Sequence, residues 1–210
     1  MPDCSSNPAL LRAFYEQPTL LVARQLLGKT LVRHFDNGEI AAGRIVETEA
    51  YTRDDPACHA FRGKSKSNGT MFGPPGHAYI HINYGLHFCL NAVTAGEGVA
   101  EAALIRAVEP LENAARLWRN YFGEADPVSE ADARRDRRLT SGPGKLTKAF
   151  AIPRAFDGMD LTDPNSPLFL AEGEPVCDDD VVTTARIGIT KAADYPWRFY
   201  VRSSRFVSRR

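Results

Sequence analysis

The chain has 210 residues, and its 26 basic and 26 acidic side chains give a formal net charge of zero, so composition alone does not indicate a nucleic-acid binder. A chain of this length buries about 70% of its unfolded surface and needs no disulfide or metal to fold, which predicts one domain over residues 1–210, with residues 1–7 disordered. The lack of a secretory signal, a long apolar stretch and paired cysteine spacing predicts a soluble, cytoplasmic protein with reduced thiols and no membrane span. We also expect a monomer.

The first predicted elements are two short helices followed by a hairpin. Residues 8–16 form the shorter helix, and leucines and alanines recur at helical spacing in residues 18–27. Residues 29–35 and 39–51 then flank an Asp-Asn-Gly turn, which predicts a β-hairpin.

The end of the second hairpin strand carries the most informative residues. Alternation along a strand places Glu47, Glu49 and Tyr51 on one face. A strand that enters a core should end in aliphatic side chains, so this pattern needs another explanation. Two carboxylates beside an aromatic ring suggest a site where water is activated against a flat ligand.

A long loop separates this hairpin from the next strands. Residues 52–76 are rich in glycine, proline and basic side chains, and loops of this length in compact domains are usually functional. Strands at 77–84 and 87–93 follow. They precede a strand over 99–108 and a helix over 110–122 that begins with proline.

The rest of the chain mixes short helical and irregular segments. Residues 124–138 are charged and are predicted to form a mobile or helical surface segment, and a glycine-rich turn opens a helix over 141–152. Residues 153–178 are predicted to be an irregular excursion before strands at 181–189 and 198–207. Consecutive strands with helices at the start and in the middle predict an α+β fold with a largely antiparallel sheet.

Aromatic and histidine side chains concentrate near the acids. Tyr79, His81, Tyr84 and Phe88 lie on the second hairpin, which ends near Asn91. Proteins hold an unstacked base between such rings, although the same residues could simply fill the core of a small sheet. Neither His-Glu-x-x-His nor Cys-x-x-Cys occurs, so we expect no metal.

Two further features leave alternatives open. The segment Ser141–Leu146 fails the Walker pattern, but its backbone amides with Lys145 could hold one phosphate of a nucleic-acid strand, or could form an ordinary helix start. Arg106 interrupts an apolar strand and needs an acidic partner, in a structural ion pair or in a site. Three acids could supply that partner: Glu47, Glu49 and Glu109.

Five motifs in order carry a resemblance to a known family. The chain resembles the alkyladenine (3-methyladenine) DNA glycosylase family of the mammalian type, from about Leu10 to Ser208. The resemblance implies a single α+β domain around a curved antiparallel sheet flanked by helices. The matching segments are Gly43–Tyr51, Met71–Tyr79, Tyr84–Asn91, Leu104–Pro110 and Ser141–Leu146.

The resemblance also implies a reaction. Members of this family remove alkylated or deaminated purines from double-stranded DNA during base excision repair, without any metal or organic cofactor. The base is flipped out of the duplex before its bond to the sugar is hydrolysed, and the strand is left uncut. Such an enzyme is expected at the nucleoid in a bacterium and in the nucleus in a eukaryote.

Individual roles carry over from the resemblance to the matching positions. Glu49 matches the catalytic acid that activates water, and Arg106 matches the arginine that helps to hold that water. Tyr51 and His59 match groups that line the base pocket. Asn91 matches a pocket asparagine that senses the purine.

Three further assignments concern the pocket wall and the DNA strand. His81 stands where the mammalian enzyme has a stacking tyrosine, so the substrate range could differ. Tyr84 matches the residue that enters the duplex in place of the flipped nucleotide. Apart from the resemblance, Gly142, Gly144 and Lys145 of the glycine-rich turn are expected to hold a DNA phosphate, on the chemistry of backbone amides beside a lysine.

Two rival functions follow from the same residues. Glu47 and Glu49 on one face could be the carboxylate pair of a glycoside hydrolase. The aromatic and basic residues could instead belong to a non-catalytic nucleic-acid binding module. Activity on alkylated DNA rather than on oligosaccharide distinguishes the DNA glycosylase from the glycoside hydrolase. Loss of product with retained binding in a Glu49 variant distinguishes the DNA glycosylase from the binding module.

Overall fold

Antiparallel strands dominate the computed structural model, which describes residues 7–83, 85, 87–123 and 129–210. Within these ranges the strands are β1 (Thr30–His34), β2 (Ile40–Tyr51), β3 (Ala78–Asn83), β4 (His87–Thr94), β5 (Glu101–Glu112), β6 (Leu168–Ala171), β7 (Val181–Thr184) and β8 (Arg198–Val201). They form one curled sheet in the order β3-β4-β5-β2-β1-β6, and β8 pairs with both β2 and β7. The long strand β2 therefore organises the sheet, since β1 pairs with its first half and β8 with its second.

Short helices cover the sheet and enclose the main core. In the described part of the chain they are α1 (Arg12–Tyr15), α2 (Thr19–Gln25), α3 (Ala114–Phe122), α4 (Glu130–Arg135) and α5 (Pro143–Ala149). Helix α2 packs on β2 and β5, and α5 packs on β4 and β5. This arrangement confirms the predicted α+β fold with a curved antiparallel sheet. No helix in the described ranges has the length and apolar character needed to cross a membrane.

The helix expected from Pro110 begins at Ala114 instead. Strand β5 continues through Pro110, which lies opposite Gly43 of β2. Strand β4 accompanies β5 only as far as Leu104, so Pro110 lies on a stretch that tolerates proline as an edge strand does. The chain turns into α3 at Asn113, whose φ of 51° is left-handed.

The prediction that residues 153–178 are irregular is wrong for one segment. Strand β6 lies within them, is fully buried, and pairs with β1 at the end of the sheet. Its Leu-Phe-Leu-Ala run is too short to stand out among the surrounding prolines and aspartates. The segment 124–138 contains the helix α4, in agreement with the prediction, and its residues 124–128 lie outside the described residues. Disorder was predicted for residues 1–7, of which residues 1–6 lie outside the described ranges. Asn7 is described, and its side chain donates a hydrogen bond to the backbone oxygen of Glu172 at 2.9 Å.

The long loop 52–76 builds a second, smaller core on the sheet. Met71 and Cys58 from the loop pack with Tyr79 of β3 and Ala102 of β5. Asn68 holds the loop together, because its side-chain amide donates to two backbone oxygens of the same loop. The loop predicted to be functional is therefore an ordered cover over strands β3 to β5.

Candidate active site

Two β-bulges bring the predicted acids and the arginine together. The register of β2 against β5 shifts on both sides of Glu47, and the ladder skips Val46 on one strand and Arg106 on the other. Such bulges bend a strand and re-aim the side chains beside them. The guanidinium of Arg106 lies 2.9 Å from Glu47 Oε1 and 3.1 Å from Glu49 Oε2. Of the three acids that could pair with Arg106, the structure selects Glu47 and Glu49.

Glu49 is fully buried and is held by three donors. Its Oε1 accepts a hydrogen bond from the backbone N–H of Ile187 at 2.7 Å. Its Oε2 accepts one from the hydroxyl of Tyr51 at 2.8 Å and forms the ion pair with Arg106. Burial, with the charge of Glu49, raises the pKa of Tyr51 well above its ordinary value, so the phenol keeps the proton that it donates.

Glu47 has a different environment from Glu49, although both lie on the same side of β2. It accepts hydrogen bonds from Arg106 and Arg198, at 2.9 and 2.7 Å, and from the backbone and hydroxyl of Ser208, at 2.6 and 2.8 Å. These four donors match the roughly four lone-pair sites of a carboxylate. Glu47 therefore binds both arginines and Ser208, and the two acids of the predicted pair have different partners.

The charges of this buried cluster balance. Two carboxylates, Glu47 and Glu49, meet two guanidinium groups, Arg106 and Arg198, which is how buried charges are tolerated. Burial alone would lower the pKa of Arg106, but Glu49 and Glu47 outweigh it and raise that pKa above the ordinary value. Arg106 is therefore a fixed positive charge beside Glu49.

A cavity of about 150 Å³ lies beside the Glu49 cluster, and Glu49 itself is buried behind the cavity lining. The three residues that hold the Glu49 carboxylate all line the cavity: Tyr51, Arg106 and Ile187. The volume is below the roughly 300–1,000 Å³ of sites for drug-sized ligands and suits a single flat ring system. The structure brings the sequence-predicted pocket residues together in this lining: Tyr51, His59, His81, Asn91 and Arg106.

His59 and His81 form one wall of the cavity as neutral rings. Their ring centroids are 4.2 Å apart, and His81 also stacks on Tyr79 at 5.4 Å. Burial, with the neighbouring His59, lowers the pKa of His81 to about 3, and burial lowers the pKa of His59 as well. Asn91 donates to the backbone oxygen of Tyr79 at 3.0 Å and lies 3.3 Å from His81 Nδ1, which a neutral ring can offer as an acceptor.

The glycine-rich turn lies at the edge of the same cavity. Pro143, the first residue of α5, lines it, and Lys145 is exposed two residues further along the chain. Gly144 packs closely on β4, because a Cβ at this position would come within 2.7 Å of the Cβ of His87. Tyr84, assigned to the duplex, lies outside the described residues.

Several groups at the site were missed by sequence reasoning. Met71 lines the cavity with Tyr79, which the sequence had already placed among the candidate stacking rings, and the N–H of Ile187 reaches Glu49 from 138 positions further along the chain. Arg186, beside Ile187, lies over the ring of Tyr51. Nothing local in the segment around residue 187 marks it, because its partners are set only by the packing of the β7–β8 connection. In the described ranges, no three His, Cys, Asp or Glu side chains are grouped to hold a metal ion.

Comparisons with known proteins agree along nearly the whole chain. A family model described as methylpurine-DNA glycosylase matches residues 13–205. A protein of Carboxydothermus hydrogenoformans is 46% identical over 201 residues, which cover 96% of this chain and 99% of that protein. One of Methanoculleus marisnigri is 48% identical over 202 residues, covering 94% and 97%. Both carry the name "Putative 3-methyladenine DNA glycosylase".

These matches show that the chain is a hydrolytic DNA glycosylase, an enzyme that binds DNA as its substrate. The chain belongs to the methylpurine-DNA glycosylase family.

Proposed function

We propose that this protein releases alkylated or deaminated purines, of the 3-methyladenine type, from duplex DNA. It acts as a monomer, flips the damaged nucleotide out of the helix and hydrolyses the bond between base and sugar. The observation that carries the proposal is the ion pair of Glu49 with Arg106, which lines an aromatic cavity with room for one base.

The cavity wall accounts for the choice of base. Tyr51, His59 and His81 present ring faces or edges to the cavity, and an alkylated purine with a positive charge is attracted to π faces. Neutral histidines add no positive charge that would repel it. Asn91, held by the backbone of β3, is the group assigned to sense the purine edge.

Glu49 and Arg106 account for the hydrolysis. The carboxylate of Glu49 accepts a proton from water as the water oxygen bonds to C1′ of the sugar, and the base leaves with the electrons of its glycosidic bond. The negative charge of Glu49 favours the sugar cation that develops, and Arg106 helps to hold the water. The strand stays intact because no protein amine forms a bond to the sugar.

Contacts with the DNA backbone come from outside the cavity. Lys145 is exposed beside the cavity edge, and Arg62, Lys64 and Lys66 are exposed on the loop 52–76 that covers the site. Lysine and arginine contacts to phosphates position a protein on a duplex without reading its sequence. We assign Gly142, Gly144 and Lys145 to a phosphate next to the flipped nucleotide.

The proposal is tested by base release from a panel of duplexes, each with one modified purine. Free base and an intact strand with an abasic site are expected from alkylated purines. Binding without base release from any duplex would favour the binding module, and cleavage of oligosaccharides instead would favour the glycoside hydrolase.

Tyr84→Ala tests base flipping. A stacked aromatic is worth roughly 1 to 3 kcal/mol, so the variant should capture the flipped state less well in a paired duplex. The loss should be smaller opposite a mismatch, where unstacking has already partly occurred. A fluorescent base analogue at the lesion position measures extrusion. Equal extrusion by wild type and variant in a fully paired duplex would remove the intercalating role from Tyr84.

His81→Tyr tests the buried neutral histidine. The folded protein resists protonation of His81 down to a pKa of about 3, whereas the unfolded chain takes up this proton near pH 6.5. The stability that His81 confers is therefore complete above pH 6.5 and is lost as the pH falls from 6.5 towards 3. We expect the melting temperature of the variant to fall less than that of wild type between pH 6.5 and about 4.5.

The matched control is His87→Tyr, at an exposed histidine on the neighbouring strand β4. Equal falls in melting temperature for His81→Tyr and wild type over this pH range would contradict the assignment of a buried neutral His81. The larger ring should also change which purines of the panel are released, since His81 lines the cavity.

A further inference from the structure

A buried ion pair lies behind the aromatic wall of the cavity. Asp55, in the loop after β2, and Arg186, in the connection between β7 and β8, have fully buried side chains. The pair is bidentate, with Arg186 Nη2 donating to Asp55 Oδ1 at 3.0 Å and Nη1 donating to Oδ2. The guanidinium also donates to the backbone oxygen of Ala50 at 2.9 Å. Both partners are therefore fixed in position.

Arg186 is stacked on the pocket residue Tyr51. Its Cζ lies 4.7 Å from the centre of the Tyr51 ring and 5.1 Å from that of Trp197. Tyr51 lines the cavity and Arg186 does not, so the guanidinium covers a part of the ring that faces away from the ligand. A base in the cavity and Arg186 would share one aromatic ring.

A shared ring couples the charge of Arg186 to the charge of the ligand. A cation on one face of an aromatic ring draws on the same π electrons that would attract a second cation, and two positive charges also repel each other across a dry site. Asp55 offsets this repulsion, because its carboxylate lies directly against the guanidinium. The carboxylate thus weakens the positive field that the guanidinium directs at Tyr51.

We propose that the Asp55–Arg186 pair sets how well the pocket accepts positively charged lesions relative to neutral ones, with Asp55 as the positioning and specificity residue. This inference rests on the proposed function, because it concerns the bases that the cavity takes. Arg186 also precedes Ile187, whose N–H donates to Glu49. If the pair only supported this contact, its loss would slow the release of charged and neutral lesions equally.

Asp55→Asn is the decisive variant. Arginine does not lose its proton in proteins, so the variant leaves an uncompensated positive charge behind Tyr51. Two duplexes are compared, one with N7-methylguanine, which is positively charged, and one with hypoxanthine, which is neutral. We expect the preference for the charged lesion over the neutral lesion to fall by roughly three- to thirty-fold.

The preference is measured in two ways. Single-turnover rates give it for the active protein, and dissociation constants in a common Glu49→Gln background give it even for a base that is released slowly. Rates are expressed per folded molecule. Wild type that releases no modified purine would contradict the proposed function itself, whereas an altered or unaltered preference reports only on the pair.

Two further variants complete the test. Asp55→Asn combined with Arg186→Gln removes both charges and should return the preference to within about twofold of wild type, as expected for coupled residues. Asp160→Asn is the control for the chemical change alone, because it neutralises an aspartate beside Arg12 in a partly exposed ion pair that does not line the cavity. An unchanged preference in folded Asp55→Asn, or an equal change in Asp160→Asn, would overturn the inference.

Discussion

Replacing Glu49 with Gln should reduce base release below about 1% of the wild-type single-turnover rate, while affinity for lesion DNA changes by less than about tenfold. An amide neither accepts the proton of the attacking water nor carries the charge that favours a sugar cation. The structure adds a cost in stability. Whichever way the Gln side chain turns, its NH₂ group meets a donor, either Arg106 or the N–H of Ile187. We expect a loss of about 1–3 kcal/mol in unfolding free energy, measured by thermal or urea unfolding.

Glu47→Gln is the matched control for Glu49→Gln. Both acids are fully buried and bound to Arg106, but the other described donors to Glu49, from Tyr51 and Ile187, line the cavity, whereas those to Glu47, from Arg198 and Ser208, do not. Glu47→Gln should therefore lower stability and leave the rate per folded molecule within about tenfold of wild type. An equal loss of rate in both variants would return the assignment to a carboxylate pair. Release above about 1% in Glu49→Gln would show that another group activates the water.

Arg106→Ala should slow base release and weaken the fold together. Loss of a charge-assisted hydrogen bond to the water should raise the barrier by roughly 1–3 kcal/mol. Removing one partner from a buried ion cluster typically costs about 3–5 kcal/mol of stability. Glu47 keeps Arg198 and Ser208, whereas Glu49 keeps only Tyr51 and Ile187 among its described donors. Single-turnover rates and urea unfolding measure the two effects separately.

Arg198→Ala separates these effects because the Arg198 side chain pairs with the carboxylate of Glu47, although its backbone lies opposite Glu49 in the β2–β8 ladder. We expect it to lose stability, as Arg106→Ala does, and to keep a near-normal rate per folded molecule. If Arg106→Ala also keeps a normal rate per folded molecule, Arg106 is a structural residue. If Arg198→Ala slows the chemistry as much as Arg106→Ala, the rate depends on the whole cluster and not on the contact of Arg106 with Glu49.

Much of the fold could be read from local patterns. The Asp-Asn-Gly turn and the strands beside it, the helix at residues 18–27 and the hairpin around residue 85 appear where periodicity and turn residues predict them. Alternation also correctly placed Glu47, Glu49 and Tyr51 on one side of β2, although two bulges interrupt the ladder nearby. The secondary-structure predictions were wrong where pairing with a neighbouring strand outweighed the local preference of the residues. Strand β5 continues through Pro110 because β4 no longer pairs with it there, and residues 168–171 form β6 because they pair with β1.

The sequence by itself determined the residue types of the site and their order along the chain, which was sufficient for the family resemblance. Only the tertiary structure decided what each charged group does. Glu47 and Glu49 look equivalent in a strand, but Ser208 and Arg198 reach one of them and Ile187 the other. Charges interact over a few ångströms in space, whereas these partners are more than a hundred residues apart along the chain, so no local pattern distinguishes the two acids.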